Sequence, residues 1–167
     1  TRGRIQRHVL AALQKLQIEY LDLLLIHWPF PQFLVETWEA FSELYAAGMV
    51  RSIGLCNMEQ RHLVQLAEKS TVLPHVLQIE CNPLNTSKEV IDYCHQKNIA
   101  IQGYSPVCRM LPGLAESKVL KRIAAQHNKT IGQIIMRWHY QNGVAPVFMT
   151  SRKERLLEYA DIVNFSL

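Results

Sequence analysis

The chain has 167 residues, 49% of them hydrophobic and 19% charged, with only 7 Gly and 7 Pro. That balance excludes disordered, collagen-like and low-complexity classes and is enough for one domain with a real core. The 18 Lys and Arg against 14 Asp and Glu leave a net charge of +4 spread along the sequence. Such a charge is compatible with a phosphorylated small molecule and is a weak argument for a nucleic-acid partner. No apolar stretch approaches the roughly 18 residues that cross a bilayer, so no membrane partner is expected. The four cysteines (Cys56, Cys81, Cys94 and Cys108) show neither a Cys-x-x-Cys pair nor a histidine at zinc spacing. They read as reduced, mostly buried thiols of a cytoplasmic protein, with no metal site.

In chain order, Ile5, Val9, Leu10, Leu13 and Leu16 have the three-to-four spacing of an amphipathic helix over residues 1–16. Residues 20–27 form a nearly continuous apolar run ending at Trp28-Pro29, too short for a capped helix. They predict a strand buried on both faces. A helix over residues 33–45 is stopped by Gly48, and a strand over 50–56 leads to a helix over 59–68. Residues 76–80 predict a strand, 87–97 a helix with Ser87 as its N-cap, and 99–104 a fourth strand. A loop with Pro106, Pro112 and Gly113 precedes helices over 117–126 and 131–141. A fifth strand over 144–149 and a closing helix over 153–159 complete the pattern.

Strand and helix thus alternate five times across short turns, which demands parallel strands joined by right-handed crossovers. Either an open doubly wound sheet or a (β/α)8 barrel fits. No Gly-x-Gly-x-x-Gly stands between a strand and its helix, which weighs against a dinucleotide-binding doubly wound sheet. The reading is therefore an α/β chain forming part of a TIM barrel. Residues 1–167 would supply about the last five β/α units of one barrel domain, with about three strands before them.

In parallel α/β folds ligands bind at the C-terminal ends of strands. The polar residues gather there: His27 and Trp28, Cys56 and Asn57, Gln78 and Glu80, Tyr104 and Ser105, then Thr150, Ser151 and Arg155. In one parallel sheet these five groups would share a single mouth. Each has a plainer reading. A lone histidine is more often a hydrogen-bonded structural residue, and Trp28 reads as packing. Asn57 and Ser105 read as helix caps. Glu80 reads as a buried carboxylate on backbone amides, Tyr104 as a core aromatic, and Arg155 as a solvated charge. Their recurrence at equivalent positions favours a ligand site.

The stretch from Tyr20 through Leu25-Ile26-His27-Trp28-Pro29 closely resembles a signature run of the aldo-keto reductases. Similar matches follow in the family's order over essentially the whole chain. They are Ala47-Gly48 through Ile53-Gly54-Leu55-Cys56-Asn57, Gln78-Ile79-Glu80-Cys81-Asn82-Pro83, Tyr104-Ser105-Pro106, and His127 through Arg137-Trp138. The resemblance implies a barrel that binds NADPH and reduces aldehydes or ketones by hydride transfer. Of the family's Asp, Tyr, Lys and His tetrad, only the histidine maps here, onto His27. The other three belong to segments expected before Thr1, so the chain alone is expected to be inactive. Trp28 would line the substrate. Cys56, Asn57 and Gln78 match the residues that hold the nicotinamide carboxamide, and Tyr104 matches the aromatic that stacks on its ring. Ser105 matches a pyrophosphate contact. The family's adenosine-phosphate pocket, a Lys-Ser followed by Arg and Glu-Asn, is matched by Met149-Thr150, Arg155 and Glu158-Tyr159. Cys56 for serine, Met149 for lysine, Asn82 for histidine and Tyr159 for asparagine are departures. They imply NADPH at reduced affinity, with NADH as the alternative. The competing functional reading is a catalytically impaired barrel that binds a partner. A phosphate-binding isomerase lacks its Gly-rich loop here and fits least.

Overall fold

The computed structural model describes residues 2–167, and strand and helix alternate in it as the apolar periodicity predicts. The elements are α1 (Arg2–Leu16), β1 (Leu24–Ile26), α2 (Leu34–Ala46), β2 (Ile53–Cys56), α3 (Gln60–Lys69) and β3 (Val76–Glu80). There follow α4 (Lys88–Gln96), β4 (Ala100–Tyr104), α5 (Pro112–Ala115), α6 (Lys118–His127), α7 (Ile131–Gln141), β5 (Val144–Val147) and α8 (Lys153–Ala160). β1 pairs with β2, β2 with β3, and β4 with β5, each in parallel. Parallel neighbours need a crossover, and a helix supplies each one. The class is α/β.

The chain divides into two compact units. The first runs to Gln78 and includes Glu89–Ala100, and the second joins Ile79–Lys88 to Ile101–Leu167.

The first unit is built on Trp38, buried with Leu34, Phe41 and Leu44 on one face of α2, and α2 packs on β2, whose Ile53 and Leu55 are also buried. Its indole Nε1 donates to the Val72 carbonyl at 2.8 Å, so the large ring is buried without an orphan donor. Gly48, at φ +72°, ends the turn after α2 in a conformation that a Cβ would disfavour. Gly54 lies so close to β3 that a Cβ there would stand 2.2 Å from the Val76 carbonyl oxygen. β1 corrects the sequence expectation. Its residues are half-buried rather than covered on both faces. Among the described residues it pairs with β2 in parallel.

In the second unit α7 packs between α6, β5 and α8. Thr130 caps α7 reciprocally with Gln133, each side chain meeting the other's backbone N–H at 3.0–3.1 Å. Arg137 is buried and donates to Gln141 Oε1, the Ile162 carbonyl and Ser166 Oγ, which ties the C-terminal segment onto α7. Met136, Tyr159 and Ile162 form a buried cluster flanked by Val107 and Phe165.

Two local expectations change. The segment after β4 holds a tight 3-10 turn at Cys108–Met110 and the short α5. Cys108, Arg109 and Met110 all have positive φ, a run that composition does not announce. Ser87 is no N-cap: it sits at φ +46° and its hydroxyl donates to the Glu80 carbonyl at 3.2 Å.

Candidate functional site

In the first unit, β1 ends abruptly at His27 and Trp28, which are both exposed, with ring centroids 5.6 Å apart. Trp28 is 52% exposed. Asn57, one residue beyond β2, takes a left-handed backbone at φ +58°, which asparagine tolerates better than most residues. From there its Nδ2 donates to the His27 carbonyl at 2.9 Å, and its own N–H donates to the Gln78 carbonyl at 2.9 Å. Cys56 and Gln78 stand opposite each other in the β2–β3 register. The ends of β1, β2 and β3 are thus stitched together through Asn57, which is not a helix cap; Glu59 fills that role for α3. Cys56 is buried and burial pushes its thiol up, so it is a weak, neutral donor.

A groove of about 580 Å³ opens beside His27. It is walled by Ile5, Ile26, Trp28, Phe30, Phe33 and Leu34, with Glu36 and Thr37 as its other polar residues. The sequence reading missed Phe30, Phe33 and Thr37. The proline-bracketed aromatics after His27 were the available signal.

In the second unit, Tyr104 ends β4 half-buried rather than in the core, and Ser105 follows it exposed at φ +52°, so Ser105 caps no helix. Tyr104 pairs in register with Val147, and Thr150 lies three residues beyond β5. Thr150 Oγ1 accepts the Arg152 N–H at 3.1 Å. Glu80 is half-buried, and Asn82 Nδ2 donates to its carboxylate at 3.2 Å; this replaces the expected backbone-amide partners.

Arg155, Glu158 and Tyr159 lie on one face of α8 and line a cavity of about 190 Å³ with Met110, Thr130, Ile131 and Gly132. Arg155 is half-buried rather than a solvated charge. Thr130 Oγ1 donates to Glu158 Oε1 at 2.5 Å. Burial raises the Tyr159 phenol's pKa, the adjacent Arg155 charge works against that rise, and Glu158 adds to it. Met149 is 98% exposed. One guanidinium, two hydroxyl groups and one carboxylate around a small cavity suit a sugar-phosphate ligand end. Thr130 and Gly132 were absent from the sequence-derived set. The Thr130-x-x-Gln133 capping pattern was the readable clue to that helix start.

Among the described residues no cluster of His, Cys, Asp and Glu could hold a metal ion, all four cysteines are free, and no helix is long and apolar enough to cross a membrane.

The Aldo/keto reductase family profile matches residues 1–167. Glyoxal reductase of Bacillus subtilis is 40% identical over 93% of this chain and 56% of its own length. Methylglyoxal reductase DkgA of Escherichia coli is 33% identical over 98% of this chain and 60% of its own length. Among solved structures, an aldo-keto reductase from Bombyx mori in complex with NADP superposes with a TM-score of 0.90 at 30% identity. It covers all of this chain and 60% of the other. An aldo/keto reductase from Brucella melitensis gives 0.88 at 37% identity, over 97% of this chain and 62% of that one. The chain therefore spans about three-fifths of the length of these relatives. A profile matched from end to end, with relatives of this similarity, establishes that the chain belongs to the aldo/keto reductase family.

Proposed function

We propose that this chain is the later part of a (β/α)8 barrel, comprising about its last five β/α units, that reduces aldehydes or ketones with NADPH. The observation that carries the reading is the His27–Asn57 arrangement. An exposed imidazole at the end of β1, with its backbone held by an amide from the end of β2, stands beside an apolar groove. When bound, the reduced nicotinamide supplies a hydride to the carbonyl carbon. His27 orients and polarises the carbonyl oxygen, where negative charge develops, through an imidazole N–H. Trp28 supplies an apolar wall against which the substrate is desolvated. Asn57 and Gln78, with the weaker Cys56, orient the carboxamide. Tyr104 offers a half-buried ring for stacking, and Ser105 a hydroxyl for the pyrophosphate. Thr150, Arg155 and Glu158 hold the adenosine-phosphate end, with NADH as the alternative dinucleotide. The resemblance assigns the proton donor to no residue of this chain. Four unpaired cysteines fit a reducing compartment, the cytoplasm.

The neighbouring structures in complex with NADP or NADPH support the cofactor. Relatives named as glyoxal and methylglyoxal reductases support small carbonyl substrates. The test uses the chain together with the earlier barrel segments proposed above; it follows loss of the reduced-nicotinamide absorbance with NADPH and methylglyoxal as probe, beside NADPH binding by tryptophan fluorescence. Replacing His27 by Ala should lower kcat/KM by about a hundredfold while leaving NADPH affinity unchanged. Equal loss of turnover and binding would overturn the role of His27. Binding without turnover once the earlier barrel segments are supplied would instead favour the second reading, a dinucleotide-binding subunit without catalysis. The substitutions Cys56 and Met149 motivate that reading.

A further inference from the structure

His139 lies on α7 and takes no part in the reaction described above, yet it is wholly buried. Its Nε2 stands 2.9 Å from the Cys81 carbonyl oxygen, and its Nδ1 2.9 Å from the Ile135 carbonyl oxygen of its own helix. A carbonyl only accepts, so the bond to Cys81 places a proton on Nε2. Cys81, also wholly buried, is the residue after β3, and its own N–H donates to the Tyr104 carbonyl at 3.2 Å. The imidazole thus reaches from a helix, through one residue, to the end of β4. Gly103 makes room for it. A Cβ there would stand 3.3 Å from His139 Cδ2, 3.1 Å from Cys81 Cβ and 2.9 Å from Val144 Cγ1. Side chains alternate along a strand, so the Tyr104 ring lies on the face of β4 opposite this crowded one.

Tyr104 is the last residue of β4, and the chain turns away at once through Ser105 at φ +52°. Its backbone is fixed on one side by register with Val147 and on the other by the Cys81 N–H. Without the imidazole the buried Cys81 carbonyl loses a donor, and the peptide must turn to find another. That turn moves the N–H on which the Tyr104 carbonyl rests. Resting on the assignment of Tyr104 to the nicotinamide ring, we propose that His139 is a positioning residue. Through Cys81 it sets the tilt of the Tyr104 ring on which the nicotinamide stacks. Stacking depends on the offset and spacing of the two rings, which lets a group on one face of the sheet act on a ligand at the other.

The test measures binding by calorimetry to the chain together with the earlier barrel segments. The probes are NADPH and adenosine 2′,5′-bisphosphate, which carries the adenosine end without the nicotinamide. His139→Leu should weaken NADPH by about tenfold and the bisphosphate by less than about twofold. His139→Gln keeps an amide N–H at the Nε2 position and should restore the parent ratio of the two affinities. His139→Asn is too short to reach Cys81 and should match the leucine chain, and it carries the comparison if leucine does not fold. In a Tyr104→Ala chain, itself about tenfold weaker for NADPH, His139→Asn should add nothing. A parent ratio in His139→Asn, whether from equal losses or from none, would overturn the inference. So would a glutamine chain no better than asparagine, or additive losses in the double variant. Each of these leaves the proposed function standing. A Tyr104→Ala chain with the parent ratio would overturn the stacking assignment, and the inference with it.

Discussion

Replacing Gly54 by Ala is expected to lower stability sharply, because its missing side chain lets β2 and β3 approach. A Cβ there would lie 2.2 Å from the Val76 carbonyl oxygen, 3.0 Å from the Val76 carbonyl carbon and 2.8 Å from Leu25 Cδ2. The first contact is more than an ångström inside the usual separation of about 3.5 Å, and its partner is backbone, which cannot rotate aside. The strands must separate, at an overpacking cost of about 1–3 kcal/mol. The flanking ladder bonds weaken as well. These are His75 N–H to Ile53 O and Asn57 N–H to Gln78 O, both 2.9 Å, each worth about 1 kcal/mol net. Alanine recovers about 0.4–1 kcal/mol through the less flexible unfolded chain. The expected net loss is about 2–4 kcal/mol, or roughly 5–15 °C in Tm for a chain of this length. Gly113→Ala is the control. Its Cβ would meet only Leu84 methyls at 3.5 and 3.6 Å, on a helix, so stability should hold or rise by up to about 1 kcal/mol. Urea and thermal unfolding followed by circular dichroism measure both. A Gly54→Ala chain within about 0.5 kcal/mol of the parent would refute the packing argument.

Asp161 has its carboxyl held below the ordinary carboxylate value. The Lys129 hydrogen bond at 2.6 Å is the largest cause, opposed by partial desolvation and aided by Asn164 and Gln133. A depressed folded pKa stabilises the fold while the carboxylate is charged, and that contribution is lost as pH falls through the depressed value. The stability gap between the parent chain and Asp161→Asn should therefore shrink as pH falls below about 4. A gap that stays constant into acid would contradict the pairing. For the thiols, burial pushes Cys81 and Cys94 up to about 11 and also raises Cys56, whereas Cys108 is half-buried. A thiol reagent at about pH 8 should label Cys108 alone in the folded chain and all four cysteines after unfolding. Rapid labelling of a second thiol would refute the burial of the others.

Much of this molecule was legible in its letters because secondary structure is a short-range matter. The three-to-four spacing of Val9 and Leu13 gave α1, and the apolar runs at 24–26 and 76–80 gave β1 and β3. A strand-then-helix order leaves His27, Asn57 and Tyr104 at strand C-termini and Gln78 within β3. Family motifs then named those positions. What the letters could not carry depends on residues distant in the chain meeting in space. No local pattern says that Asn57 would spend its amide on the His27 carbonyl, or that Gly54 must be bare because Val76 passes 2.2 Å from its Cβ position. Nor does any local pattern put Tyr159 against a glycine 27 positions earlier. Periodicity and turn residues determined which elements form and in what order. Only tertiary packing decided which polar groups are already partnered, because a hydrogen bond or a steric contact is set by distance in space and not by separation in sequence.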